Sequence, residues 1–524
     1  MRFKSVALAS AILLGMALPT VSVGQGSKTI TGGFDVGPGG LPKNFNPLVA
    51  TAGFTWLSNY YEPLVIWNAG LSEITGALAK DYTVSDDKLT YTFNLVEETW
   101  HDGEPFTAAD VKFTIELAKN KDTGSLMAAR LADVTSVEAK DDRTVVITLG
   151  KPNGSFLASL VQVMILPEHK LASVAPESLA TSPWWATEPI GTGPFKFTRY
   201  VTDQFVELAA DEDYRNGRPK VDVLINRYFE NPAAAVAALR AGEIQFTYVE
   251  PDEAAAFRSE ADFTVIEGAS FVVNYIGLNQ KVDLFKDVRV RKAIMHAIDR
   301  NAIIESLYGG AAKPANCGYV APQLVPEGID EYAYDPEKAK ALLAEAGWDK
   351  INGDKPITWL TYYGSPQAAN VMAAVQAMLA QVGINVVPRV VDTPTYNGII
   401  YKEGTPDWNE FPMVYAGLQN GPNPASINSG LNKSQLPPAG FNTMRIEFDD
   451  LSAAFDAALA ETDAAKVDAA WQNVCKVMNE ELPWATMWVA NRYGVASGKL
   501  RDFVWTPAPA GGPFAAHPEQ WDIQ

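Results

Sequence analysis

The sequence predicts an α/β protein of more than one domain. Three observations carry that prediction. The chain has 524 residues, 47% apolar and 20% charged, enough for two or three domains each with its own core. Segments with helical and strand periods alternate along most of its length. Beyond the first two dozen residues, no stretch is apolar enough to read as a membrane span.

The amino terminus has a separate character. MRFKS carries Arg2 and Lys4, VALASAILLGMAL is an apolar run of about 13 residues, and PTVSVGQG places small residues at Ser22 and Gly24. A basic end, a short apolar run and a small-residue exit predict a secretory signal over residues 1–24, cut near Gly24. No lipobox-like cysteine follows the apolar run, so a soluble exported protein is expected rather than a lipid-anchored one. Losing Arg2 and Lys4 takes the net charge of −20 to about −22. Such a surface disfavours nucleic acid, whose binding rests on neutralised phosphates, and anionic membranes.

TITGGF opens as a strand and PGGLPKNFNPL follows as a loop. LTYTFNLVEETW, Leu89 to Trp100, reads as a strand with Tyr91, Phe93 and Leu95 on one face. WHDGEPFTAADVKFTIELAKN then starts with an Asp102-Gly103 turn. Thr107 caps a helix, Asp110 sits at the third helical position, and Val111, Ile115 and Ala118 make its apolar stripe. With TVVITLG, Thr144 to Gly150, these pieces form a small α/β unit. PIGTGPFKFTRYV at Pro189 and YRNGRP at Tyr214 are turns leading into strands. Asn231 caps a helix with Pro232 in its first turn and Gly242 past its end, and IQFTYV is the next strand.

VRVRKAIMHAIDR, Val288 to Arg300, is an amphipathic helix that places His296 on a surface or half-buried face. DPEKAKALLAEAG, Asp335 to Gly347, carries an N-cap, a first-turn proline and a closing glycine. ITWLTYY, a helix ending at Gly383, and INVVPRVV continue the alternation. Two long helices occupy Phe448 to Glu480, and VWTPAPAGGPF is a proline-rich tail. Cys317 and Cys475 either pair, in the oxidising compartment the signal implies, or stand apart as small buried residues.

Several chemistries are absent from the pattern. There is no GxSxG elbow, no HExxH, no closely spaced His/Cys set and no GxxxxGK[ST] phosphate loop. His101, His169, His296 and His517 lie far apart. No catalytic residue, cofactor or metal is expected. The 62 acidic residues leave an exported glycosidase as the remaining enzyme reading.

Motifs in order now carry a resemblance. They are FNPL at Phe45, YEPL at Tyr61, W-x-D-G-x-P-F-T-A-x-D-V from Trp100 to Val111, ILPEHK at Ile165, PIGTGPF at Pro189, and Y-x-N-G-x-P at Tyr214. ALRAGEI at Ala238, FKDVRVRKAI at Phe285 and YDPEKAKALLAEAGW at Tyr334 follow. The chain resembles the extracytoplasmic solute-binding proteins of family 5, receptors of ABC importers that include dipeptide-, oligopeptide- and nickel-binding proteins. The resemblance implies a two-lobed periplasmic-binding-protein fold (type II, cluster C) with an extra small domain inserted in the first lobe. Lobe I would combine 27–65, 186–270 and 491–524, the insertion would be 66–185, and lobe II 271–490. It implies a periplasmic monomer that captures a small solute by hinge closure and delivers it to membrane permease subunits, with no covalent step.

In peptide-binding members, an aspartate in a stretch like GWTGDNGDP holds the peptide amine. Here MVYAGLQNGPNPASI, from Met413, has Leu418 or Gln419 at that place and Asn423 where another acid is common. A charge-assisted bond of roughly 1.5–3 kcal/mol is thereby lost. The N-terminal run also resembles the branch that binds cello- and chito-oligosaccharides. A small oligosaccharide or glycoside is therefore the expected ligand, with an oligopeptide or amino-acid conjugate as the alternative. Gln419, Asn420, Asn423 and Asn409 would meet hydroxyls. Trp408, Tyr363, Phe54, Trp56, Trp488 and Trp505 would stack on sugar faces.

Overall fold

One mixed sheet of eleven strands runs through both halves of the chain. The computed structural model describes residues 27–35, 45–49, 57–505 and 515–524, apart from positions 126, 230, 320, 403, 420, 439 and 464. In chain order the main strands are β1 Thr29–Asp35, β2 Phe195–Val201, β3 Phe205–Ala210, β4 Val223–Phe229, β5 Phe246–Val249, β6 Phe263–Leu278, β7 Ile357–Thr361, β8 Val386–Val390, β9 Met413–Gln419 and β10 Trp484–Ser497. They lie in the order β8-β7-β9-β6-β10-β5-β1-β4-β3-β2, and a short strand, Ala312–Pro314, joins β10.

Two strands belong to both lobes. β6 has 16 residues and β10 has 14. They pair with each other from Phe263↔Ser497 to Gly277↔Trp484, and the register breaks between Ala269↔Asn491 and Val273↔Val489. On one side of the break β10 pairs with β5. On the other, β6 pairs with β9. The buried side chains separate in the same way. Val236, Phe257 and Val495 pack in one cluster, while Ile294, Trp359 and Met487 pack in another.

A second, four-stranded antiparallel sheet joins Ala79–Val84, Thr90–Leu95, Thr144–Leu149 and Val134–Asp141. Tyr91, Phe93 and Leu95 are buried, as the alternation predicts. Helix α1, Ala108–Lys119, starts with the expected capping box. Thr107 accepts the Ala109 N–H at 3.3 Å, and Asp110 accepts the Thr107 N–H at 2.9 Å.

The turn before that helix is a strut. His101 Nε2 donates to the Gly193 carbonyl at 2.8 Å, and its Nδ1 accepts the Gly191 N–H at 3.2 Å. WHDG and PIGTGP are therefore two halves of one joint. Its glycines are obligatory, because a β-carbon at Gly191 would lie 1.5 Å from the Tyr60 carbonyl oxygen. Burial pushes the His101 imidazole down from 6.5, against the Gly193 bond; Asp211, Lys196 and Glu62 are the charged groups around it. A depressed histidine supports the fold fully above its unfolded value and loses that support as pH falls below about 6.5. His101→Gln is expected to flatten the fall of unfolding midpoints as pH drops below about 6.5. An unchanged slope would contradict this role.

Elsewhere the outcome differs in detail. His296 is buried, not at a surface, because its Nδ1 donates to the Ala333 carbonyl at 2.8 Å from within the lobe II core. Its helix ends at Ala297, and Asp299 caps a second one, Arg300–Tyr308. The two long helices run over Asp449–Ala460 and Val467–Glu481. Cys317 and Cys475 form a disulfide, with Cα atoms 5.3 Å apart. The expected signal, residues 1–24, lies outside the described residues. Among those described, no helix is long and apolar enough to cross a membrane.

Candidate functional site: a cleft at the strand crossing

The parallel strands of both lobes point their carboxyl ends at the same place. In one lobe β1 runs parallel to β4 and β5. In the other, β7 runs parallel to β8 and β9. The registers locate the ends relative to the crossing. Val249 at the end of β5 is opposite Tyr493, Gln419 at the end of β9 is opposite Val272, and the break in β6–β10 lies between them. In open α/β sheets, the crevice outside the carboxyl ends of the strands is where ligands are held.

Helices begin at those ends. Asn231 accepts the Ala234 N–H at 2.9 Å and opens α2, Pro232–Arg240. Glu250 precedes α3, Pro251–Phe257. Ser365 caps α4, Pro366–Gln381, through the Ala368 N–H. A proline stands in the first turn of each, where its missing N–H costs no helix bond.

An open pocket joins the two sides. Pro232, Glu250 and Pro251 come from one lobe, Tyr308 and Gln367 from the other, and Ala490 to Tyr493 from the crossing strand. Burial pushes the Tyr308 phenol up, the neighbouring Trp488 and Tyr415 oppose this, and the Glu250 charge adds to the rise. On one face of the crossing, Glu267 accepts from Asn491 at 2.6 Å and from Tyr493 at 3.3 Å, and pairs with Arg258 at 2.9 Å. This network ties β6 to β10 just before the register break.

Lobe II contributes a wall of tyrosines. Tyr362 and Tyr363 leave the end of β7 with ring centroids 4.6 Å apart, and Tyr363 packs on Tyr415 at 5.4 Å. A β-carbon at Gly417 would come 2.5 Å from the Tyr363 hydroxyl, so glycine is what lets that tyrosine pack against β9 there. β9 pairs with β7 only through Met413 and Val414. Beyond that, the Thr361 hydroxyl donates to the Tyr415 carbonyl.

The residues expected to bind ligand are not all together. Tyr363 and Gln419 lie at the strand ends, and Asn423 lies just beyond, where its side chain accepts the Ala425 N–H at 3.0 Å. Trp408 and Asn409 are in a short turn before Met413. That is the opposite end of β9, roughly 20 Å from Gln419 at ~3.3 Å per residue. They cannot meet a small solute at the crossing. Trp408 is half-buried under the Arg445 guanidinium, 5.2 Å from its ring. Trp488 is fully buried in the lobe II core against Tyr308, and Trp505 is buried against Tyr248 and Phe246. Neither presents a stacking face. Phe54, Trp56, Asn420 and the Gln419 side chain lie outside the described residues. Glu250, Tyr308, Gln367 and Arg492 were missed; the strand–proline–helix pattern in YVEPDE was the available signal for Glu250.

The described residues contain no group of three or more His, Cys, Asp or Glu side chains able to hold a metal ion. The model of bacterial extracellular solute-binding proteins, family 5, matches residues 73–435. A Brucella melitensis protein provisionally named an ABC transporter peptide-binding protein is 64% identical over 99% of this chain and 98% of its own length. The dipeptide-binding protein of Escherichia coli is 30% identical over 66% of this chain and 69% of its own. The oligopeptide-binding protein AppA of Bacillus subtilis, solved with a nonapeptide, superposes with a TM-score of 0.83 at 25% identity, covering 95% of this chain and 99% of that one. With two lobes crossed by paired strands and matches along nearly its full length, the chain belongs to the bacterial extracellular solute-binding proteins of family 5, the components that present a solute to the permease of an ABC importer.

Proposed function

We propose that the chain captures a peptide or amino-acid conjugate, rather than an oligosaccharide, between lobes divided near residues 270 and 490. The observation that carries this reading is the one-sided pairing of β9. From Ala416 to Gln419 it has β6 on one edge and, among the described residues, no strand on the other. An extended peptide is the ligand class whose backbone hydrogen-bonds along such an edge. Relatives named for peptide binding favour the same class. The sugar expectation leaned on stacking by Trp408, Trp488 and Trp505, and those indoles are distant or buried. Tyr363, Gln419 and Asn423 remain as contacts, joined by Tyr308, Glu250 and Gln367. The protein acts as a periplasmic monomer after removal of residues 1–24.

A thermal-shift panel of di- to pentapeptides beside cello-, chito- and galacto-oligosaccharides tests the choice, since a ligand of the folded state alone raises the melting midpoint. A rise with peptides only is expected. A rise with one sugar series only would reverse the assignment.

A further inference from the structure

We propose that Arg492 is the receptor for a carboxylate on the captured solute; this deepens the peptide reading above and rests on the same cleft. Arg492 lies on β10 one residue past Asn491, directly at the strand crossing, and lines the pocket shared by the two lobes. Its guanidinium lies over the Tyr248 ring at 4.1 Å from the centroid, and Tyr248 packs in turn on buried Trp505 at 4.7 Å. Its strand partner across β6 is Gly268, which places no side chain beside it. The guanidinium is therefore held flat against the Tyr248 ring, half-buried and oriented, on the lining of the shared pocket.

What it lacks is an anion. Arg227, Arg240 and Arg258, its neighbours in the same lobe, each have a carboxylate at 2.7–2.9 Å. Arg492 has no such partner among the described residues; its recorded contact is the Tyr248 ring. The chain carries 62 acidic side chains against 42 basic ones, so an unmatched guanidinium in the cleft stands out. Glu267, the acid beside Gly268 on β6, projects from a position of opposite alternation and is already bound to Arg258, Asn491 and Tyr493. A planar fork stacked on an aromatic ring is suited to bidentate recognition of a carboxylate. The ligand group is then the free C-terminus of a peptide or the acid group of an amino-acid conjugate.

The experiment is calorimetric titration of the mature protein and of Arg492→Gln and Arg492→Lys. Its probes are one peptide as free acid and as C-terminal amide, and a sugar acid beside its neutral sugar. The wild type is expected to prefer the acid of a pair at least tenfold, Arg492→Gln to bind both members alike, and Arg492→Lys to keep part of the preference. Unliganded melting midpoints of the variants, expected to match the wild type, separate lost recognition from lost folding. Equal binding of peptide acid and amide by the wild type would overturn the Arg492 assignment and leave the peptide reading standing. An acid preference that survives in Arg492→Gln would do the same. A preference seen only for the sugar acid, and abolished in Arg492→Gln, would support Arg492 and overturn the peptide reading. A folded wild type that binds no member of the panel would overturn both.

Discussion

Replacing Arg215 with alanine is expected to destabilise the protein by on the order of 3–5 kcal/mol, seen as a lower urea midpoint of tryptophan fluorescence. Arg215 holds together three stretches far apart in sequence. Its two terminal nitrogens donate to Glu62 at 2.6 and 2.5 Å, and one also donates to Glu98 at 2.8 Å. Tyr214 adds a bond to Glu62 at 3.3 Å. Glu62 follows the N-terminal segment, Glu98 lies beside the small four-stranded sheet, and Arg215 lies in the YRNGRP turn. All three side chains are largely buried, so alanine would leave two carboxylates without their cation in a site that water reaches poorly. The carboxylates are not equal. Burial lifts the Glu98 carboxyl despite its bond to Arg215, whereas Glu62 receives the guanidinium fork. Glu62→Gln is therefore expected to cost more than Glu98→Gln. An unchanged midpoint in Arg215→Ala, or the reverse order for the two glutamines, would contradict this view of the joint.

The second large effect concerns the disulfide. Cys317 and Cys475 are separated by 158 residues, and closing so long a loop restricts the unfolded chain by about 5 kcal/mol in the chain-entropy model, with about 2–4 kcal/mol typical of measured cases. Both residues are buried in the cluster built around Tyr319, Phe455 and Trp471. The Tyr319 hydroxyl donates to the Trp471 carbonyl in the same cluster, so the covalent link reinforces contacts already made between the Cys317 loop and the helix Val467–Glu481. The double variant Cys317→Ala/Cys475→Ala is expected to unfold at clearly lower urea and to lose lobe II first, followed by hydrogen exchange of that helix. Equal midpoints would show that the contacts alone suffice.

How far the sequence led is best seen in particular elements. Capped helices were legible because their signals are local: Thr107 with Asp110, Asn231 with Pro232, Asp335 with Gly347. Strands with one wet face were legible too, as in Thr90–Leu95. The two strands that define the cleft were not. Phe263–Leu278 and Trp484–Ser497 pass from one lobe to the other, and their neighbours change along the way. Their burial follows no simple alternation, so period-two reasoning had nothing to hold. The site suffered for the same reason. Trp408 and Gln419 are eleven residues apart in sequence, but a strand lies between them and carries them to opposite ends. Trp488 and Trp505 looked available because a tryptophan in a sequence shows no depth; both are core. The joint of His101 with Gly191 and Gly193 could be sensed only as two motifs, since the contact spans some ninety residues.

Ligand class is the point on which the functional reading turns, and calorimetric titration of the mature protein with free peptides, beside oligosaccharides of matching size, decides it. Saturable binding of a peptide that is recovered chemically unchanged, with no heat from the sugars, is the predicted result. Saturable binding of a cello- or chito-oligosaccharide, with peptides silent, would contradict it and return the cleft to sugar recognition.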